Sequence, residues 1–161
     1  MIKGLHHAAY RCRDSEETRK FYEDFLGLPL VNAFEITETK TGRQTHVLHS
    51  FYAMSDGSCV AFFEVPDSPF EFKRQDDYDL HIALEVPRDQ LERMLEKGRS
   101  SGIEARGISD HHMIDSIYFR DPNGYVVELT AKRPDHDDKM NPASNGARGR
   151  LDRWQIDKTK R

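Results

Sequence analysis

An internal repeat constrains the fold of this chain more than any other feature. The stretch HAAYRCRD, which begins at His7, is matched in the second half by HIALEVPRD, which begins at His81. Each stretch begins a longer segment whose pattern predicts a strand, a helix and three more strands, in that order. One such unit would leave a face of its sheet uncovered, so two units pair to close a core. We therefore predict an α+β fold of two paired βαβββ modules, forming a curved mixed sheet around a cleft.

Local signals set the expected limits of these elements. Asp14 or Ser15 caps the first helix, whose apolar face repeats every three or four residues up to Gly27. The second helix is predicted over 88–101 and ends at Gly102. The predicted strands cover 5–12, 30–37, 45–52, 58–65, 80–86, 103–107, 116–119 and 125–130.

Length, charge and cysteine content narrow the classes of function. A chain of 161 residues suits one domain, and a net charge of −4 favours neither nucleic acid nor an anionic membrane. No apolar run approaches a membrane span, and no signal-peptide pattern follows Met1. The two cysteines, Cys12 and Cys59, do not form a disulfide framework. We expect a cytoplasmic protein that acts on a small molecule.

Three side chains in apolar stretches form a candidate metal site. His7, His81 and Glu128 supply two imidazoles and a carboxylate, the ligand set of a catalytic divalent metal with open positions. His6 and His7 are expected to face opposite ways on one strand, and the repeat selects His7. A carboxylate in VVELT needs a cation or strong hydrogen-bonding partners if it is buried. The alternatives are ordinary strand histidines and a glutamate on an exposed face.

Three segments carry a resemblance to a known family: LHHAAYRCRDSEETRKFYEDFLGLPLV at 5–31, DLHIALEV at 79–86 and SIYFRDPNGYVVELT at 116–130. Together they resemble the vicinal oxygen chelate superfamily, which includes glyoxalase I, epimerases, fosfomycin-modifying enzymes, extradiol dioxygenases and bleomycin-sequestering proteins. The resemblance implies a single domain over 1–133, with modules of about 3–66 and 78–133 and a metal between them. It also places the first metal ligand at His7 and implies a homodimer. It does not fix the reaction.

A fourth metal ligand would help to distinguish the reactions of this superfamily. Glyoxalase-like members take one from the last strand of the first module, where Glu64 is the candidate. Matching Gly57 to Gly124 instead places Ala61 opposite Glu128. Glu64 then lies on the other face of its strand, because side chains alternate. We therefore predict three protein ligands.

Tyr118 and His111 are the candidate catalytic residues. Tyr118 precedes Asp-Pro in a pattern that resembles the signature of extradiol dioxygenases, in which this tyrosine hydrogen-bonds the substrate. His111 matches the histidine of that signature, although Ser109 departs from the pattern. His112 is placed equally well. The alternatives are an aromatic residue packed in a sheet and a solvated pair of loop histidines.

Three functions remain open from the sequence. The favoured one is an Fe(II) extradiol-type dioxygenase acting on a small aromatic or diol substrate, because of Ala61 and the Tyr118 spacing. The second is a glyoxalase-like or epimerase-like lyase or isomerase that uses Zn, Ni, Mn or Co as a Lewis acid. The third is a metal-free binding protein of the bleomycin-resistance kind.

The polar tail over 134–161 differs in composition from the rest of the chain. A short helix over 147–159 is expected to dock through Leu151 and Trp154, either on the domain or on a second subunit. The alternative is a disordered tail.

Overall fold

The order of elements predicted from the repeat is confirmed. The computed structural model describes residues 1–160, and the βαβββ order occurs twice. The first module consists of β1 (His7–Cys12), α1 (Ser15–Arg19, continued by a π-helical segment, Lys20–Phe25), β2 (Leu30–Glu38), β3 (Gln44–Ala53) and β4 (Cys59–Glu64). The second consists of β5 (His81–Glu85), α2 (Arg88–Ser100), β6 (Ala105–Asp110), β7 (Ile114–Arg120) and β8 (Val126–Lys132).

Each module forms one four-stranded sheet. The first sheet has the order β1-β4-β3-β2, with β1 parallel to β4 and the other neighbours antiparallel. The second has the order β5-β8-β7-β6, and its β6–β7 pair is antiparallel. The α+β class is therefore confirmed. The chain groups into two compact units, residues 1–82 with 120–126, and residues 83–119 with the segment from 127 onward.

Helix α1 packs on one face of the first sheet. Its start is fixed by the Asp14 side chain, which accepts a hydrogen bond of 2.8 Å from the backbone N–H of Glu17. The fully buried ring of Tyr22 lies 4.7 Å from that of Phe62 and 5.7 Å from that of Tyr52, measured between centroids. This face therefore forms the core of the first unit.

The Asp-Pro-Asn-Gly turn belongs to the same unit and is held by buried hydrogen bonds. Asp121 accepts from the backbone N–H of Asn123 at 2.9 Å and of Tyr125 at 2.8 Å. The Tyr22 hydroxyl donates to Asp121 Oδ2 at 3.1 Å. Gly124 has a φ of +94°, and a Cβ there would lie 2.6 Å from the backbone of Lys73. Only glycine fits this position without strain.

The C-terminal segment forms two short helices, α3 (His136–Met140) and α4 (Ala147–Asp157), and a 3-10 turn follows at Lys158–Lys160. A helix was expected over 147–159, and its apolar residues are more than half exposed: Leu151, Trp154 and Ile156. The expected docking of this helix stays a prediction. Among the described residues, no helix is both long and apolar enough to cross a membrane.

Candidate functional site

His7 lies on the face of the first sheet opposite helix α1. It is the first residue of β1, and its ring centroid is 5.4 Å from that of Phe51. Tyr10, three residues along the strand, instead packs against Phe62 on the helix side, as alternation requires. The expectation that His6 points away from His7 is wrong. Strand β1 begins only at His7, so alternation does not extend to His6, and the two Nδ1 atoms lie 2.8 Å apart.

His81 occupies the corresponding position of the second module. It is the first residue of β5 and is exposed. Its Nδ1 forms a hydrogen bond with the backbone carbonyl of Asp77. Because a carbonyl only accepts, this bond places the ring hydrogen on Nδ1 and the lone pair of the neutral ring on Nε2. Metal-binding histidines are held in the same way.

Glu128 is buried in the middle of β8, with 4% of its surface exposed. The Tyr118 hydroxyl of β7 lies 3.4 Å from Glu128 Oε1 and 2.7 Å from His111 Nε2. The hydroxyl has one hydrogen to give, so it can donate to only one of these neighbours at a time. His111, Tyr118 and Glu128 therefore form a connected line of groups within the second unit. The candidate catalytic residues thus adjoin the candidate carboxylate ligand.

Arg106 joins this group, although no sequence motif points to it. It pairs with Tyr118 in the register of β6 and β7, and its guanidinium carbon lies 5.1 Å from the tyrosine ring centroid. This is a cation–π contact. It places a positive charge beside the Tyr118 ring. Only the antiparallel register reveals this contact, since Arg106 and Tyr118 are well separated in the chain.

Glu64 has a structural role. Its Oε2 accepts a hydrogen bond of 2.7 Å from the backbone N–H of Ser15, at the start of α1. The carboxylate thus faces the helix and the positive end of its dipole. Ala61, an odd number of residues away, faces the other side of the sheet and is fully buried. This agrees with the prediction that Glu64 lies on the face away from His7.

A group of rings surrounds His49 on the same face as His7. The His49 ring stacks on Phe63 with centroids 3.7 Å apart, and it lies 4.2 Å from Phe51 and 5.4 Å from Phe34. Its Nδ1 lies 3.0 Å from the backbone carbonyl of Phe62. We call His7, Phe34, His49, Phe51 and Phe63 the aromatic cluster. No role for His49 follows from the sequence, because alternation alone does not tell which face of β3 is covered by a helix.

A cavity of about 750 Å³ lies in the second unit, between the loop at His111 and the C-terminal segment. Its lining combines two histidines and one methionine with charged and polar side chains: His111, His112, Met113, Asp135, Asp138, Lys139, Ser144, Asn145 and Arg150. The Lys139 ammonium donates to the backbone carbonyl of His112 at 2.7 Å. The C-terminal segment therefore supports the loop that carries His111.

The donor chemistry of His7, His81 and Glu128 fits a divalent metal, since imidazole nitrogens and a carboxylate are common ligands of such ions. Each donor stands at a regular strand position, and the hydrogen bond of His81 leaves the lone pair of its neutral ring on Nε2, where a metal ion could bind. Within residues 1–160, no three His, Cys, Asp or Glu side chains are grouped closely enough to hold a metal. The triad therefore stays a prediction.

Comparison with known proteins identifies the family. The model of the Glyoxalase/Bleomycin resistance protein/Dioxygenase superfamily matches residues 4–129. The chain belongs to this superfamily. It is 29% identical over 157 residues to the metallothiol transferase FosB of Shouchella clausii, a match that covers 88% of this chain and 92% of FosB.

Two solved structures show the same fold. A glyoxalase/bleomycin resistance protein/dioxygenase domain from Frankia sp. EAN1pec gives a TM-score of 0.66 at 16% identity, covering 83% of this chain and 100% of that chain. A mutant of the fosfomycin resistance protein FosX from Listeria monocytogenes gives 0.59 at 22% identity, covering 85% and 98%. That FosX structure contains Mn(II) and 1S,2S-dihydroxypropylphosphonic acid. The match to the family model confirms the superfamily resemblance read from the sequence, and these two structures show the fold alone.

Proposed function

We propose that this protein is a metal-dependent enzyme in which His7, His81 and Glu128 hold one divalent ion. The proposal is supported by the ligand chemistry of the three side chains and by the burial of the Glu128 carboxylate. The FosX relative bound to Mn(II) adds support from a protein of the same fold. When bound, the ion would lower the pKa of a substrate hydroxyl and, as Fe(II), supply electrons to oxygen.

The reaction we favour is dioxygenase-like and acts on a small aromatic or diol substrate. The observation that carries it is the contact of 2.7 Å between His111 Nε2 and the Tyr118 hydroxyl, next to Glu128. Tyr118 would donate a hydrogen bond that orients the substrate. His111 would accept the proton from the tyrosine oxygen or return it, because the two atoms are within hydrogen-bonding distance. The alternative, a glyoxalase-like or epimerase-like lyase or isomerase that uses Zn, Ni, Mn or Co as a Lewis acid, would use the same metal ligands.

A second candidate is fosfomycin modification, as in FosB and FosX. Arg106 favours it, because a guanidinium beside Tyr118 could pair with a phosphonate. The 29% identity to FosB over most of both chains points the same way. In either case we propose a cytoplasmic homodimer with a small-molecule substrate. The binding-only alternative has no use for an intact set of metal ligands and is the least supported.

Metal analysis followed by two assays tests these alternatives. The protein is purified anaerobically without added metal, and its metal content is measured by elemental mass spectrometry. About one iron per chain, with ring-cleavage absorbance and oxygen uptake on catechol, is the expected result. Consumption of fosfomycin with a thiol or water, followed by phosphorus NMR, would instead support the second candidate. Protein that takes up no metal on reconstitution would refute both.

A further inference from the structure

The hydrogen bond of His49 determines which of its nitrogens is available to a ligand. Nδ1 lies 3.0 Å from the backbone carbonyl of Phe62, and a carbonyl can only accept. The ring hydrogen is therefore on Nδ1, and the lone pair of the neutral ring is on Nε2. Among the described residues, none forms a hydrogen bond with His49 Nε2. The ring thus presents a hydrogen-bond acceptor of fixed orientation.

Aromatic side chains surround this acceptor. Phe63 stacks on the His49 ring with an interplanar angle of 11°, and Phe51 lies beside it. Phe34 stacks near Phe51, with 6.0 Å between centroids, and 44% of its surface is exposed. His7 completes the cluster at 6.1 Å from the His49 ring. Flat apolar walls favour a planar ring as ligand.

Arg11 is the cation that the sheet register places beside the cluster, and its buried Nε has no hydrogen-bond partner among the described residues. Arg11 pairs with Phe63 across β1 and β4, and its Nη2 donates to the carbonyls of Val65 at 3.0 Å and Ser68 at 2.8 Å. The lone pair on His49 Nε2 can only accept a hydrogen bond, so it suits a hydroxyl that keeps its proton and repels an anionic oxygen. The chemistry of the cluster therefore suits an uncharged ligand that carries a hydrogen-bond donor.

We propose that the aromatic cluster binds the ring of an uncharged hydroxyl-bearing aromatic ligand, and that His49 Nε2 accepts a hydrogen bond from its hydroxyl group. His49 would then select hydroxylated rings over rings that lack the donor. The proposal rests on the proposed function in one respect: it takes the sheet face that carries His7 as the substrate side. Hydrogen-bond selection of this kind leaves a buried acceptor unpaired when the wrong ligand binds.

Phenol and anisole are matched probes for this acceptor, because only phenol can donate a hydrogen bond from its oxygen. Each is titrated into the full-length chain while the aromatic proton signals are followed by NMR. One neutral hydrogen bond is worth about 0.5–1.5 kcal/mol, so the wild-type protein is expected to bind phenol about 2- to 12-fold more tightly than anisole. Equal affinities, or no saturable binding of either probe, would overturn the proposal.

The variant His49→Phe separates the acceptor from the stacking ring. Its flat ring can still stack on Phe63, so the affinity for anisole should stay unchanged while the preference for phenol falls to about 1. The control Glu128→Gln changes a proposed metal ligand in the second unit, outside the aromatic cluster, and should keep the preference. A preference that survives in His49→Phe refutes the role of His49. Wild-type protein that takes up no metal on reconstitution but still prefers phenol would refute only the proposed function.

A measurement on the wild-type chain covers the case in which His49→Phe does not fold. Long-range proton–nitrogen NMR spectra distinguish the two neutral histidine tautomers. The expected pattern for His49 has the proton on Nδ1. The opposite tautomer would leave no acceptor at Nε2 and would contradict the proposal by itself.

Discussion

The hydroxyl group of Tyr22 joins helix α1 to the Asp-Pro-Asn-Gly turn, and the substitution Tyr22→Phe removes it. The hydroxyl donates to Asp121 Oδ2 at 3.1 Å, and both residues are buried, with 0% and 3% of their surfaces exposed. The phenylalanine ring can keep the contacts that the tyrosine ring makes with Phe62 and Tyr52. The substitution therefore tests the hydrogen bond with little change in packing.

The expected loss of stability depends on the hydrogen bonds that the Asp121 carboxyl group keeps in the variant. A hydrogen bond to a charged group contributes about 1.5–3 kcal/mol net. Asp121 retains the backbone N–H groups of Asn123 at 2.9 Å and Tyr125 at 2.8 Å, and the Asn123 side-chain amide at 3.1 Å. Because these donors still compensate the carboxylate, we expect Tyr22→Phe to lower the free energy of unfolding by roughly 1.5–2 kcal/mol at pH 7.

The cost should depend on pH. Burial raises the pKa of Asp121, while hydrogen bonds from Asn123, Tyr125 and Tyr22 oppose that rise. Because the pKa of Asp121 is higher in the folded protein than in the unfolded chain, protonation of Asp121 stabilises the folded state. This contribution is complete below about pH 3.9 and is lost as the pH rises through the pKa of the folded state. Without the Tyr22 hydroxyl the folded pKa rises further, so more stability is lost at neutral pH. Tyr22→Phe should therefore lower the free energy of unfolding less near pH 4 than at pH 7.

Urea denaturation followed by circular dichroism, at both pH values, measures these costs. Tyr78→Phe is the matched control, because Tyr78 also donates to an aspartate, Asp76, at 2.9 Å but is 87% exposed. We expect the control to change stability by less than about 0.5 kcal/mol. Equal effects of the two substitutions at pH 7 would refute the buried-network argument. A cost for Tyr22→Phe that is the same at both pH values would refute the role of the Asp121 charge.

Three further substitutions test other parts of the structure. Gly124→Ala should lower the free energy of unfolding by at least about 2 kcal/mol, since φ is +94° and the new Cβ would meet the Lys73 backbone at 2.6 Å. Urea denaturation measures this loss, and an unchanged stability would contradict the prediction. Glu64→Ala should lower the free energy of unfolding by about 1 kcal/mol, because the hydrogen bond to the Ser15 N–H is lost. The metal content per chain should stay unchanged, and a loss of metal would indicate that Glu64 is a fourth ligand. His7→Ala should abolish stoichiometric metal binding in elemental analysis, and tight metal in that variant would remove His7 from the site.

Features that depend on neighbouring residues could be predicted from the sequence. The βαβββ order follows from apolar periodicity and turn residues, and both modules have it. Asp14 was one of two candidate caps, and its carboxylate forms the capping bond. The orientation of Glu64 followed from alternation along one strand, and its bond to the start of α1 agrees with it. The wrong inference about His6 came from starting the strand at Leu5, two residues before the observed start at His7.

Contacts between distant residues could not be predicted in this way. Arg106 meets Tyr118, and His49 stacks on Phe63, because of pairing registers that no local pattern encodes. A shift of one residue in either pairing would turn every side chain of that strand to the other face. The sequence by itself therefore determined the elements, the family and the types of residue available for chemistry. The tertiary structure decided which of those residues are neighbours, because register and burial depend on the whole sheet.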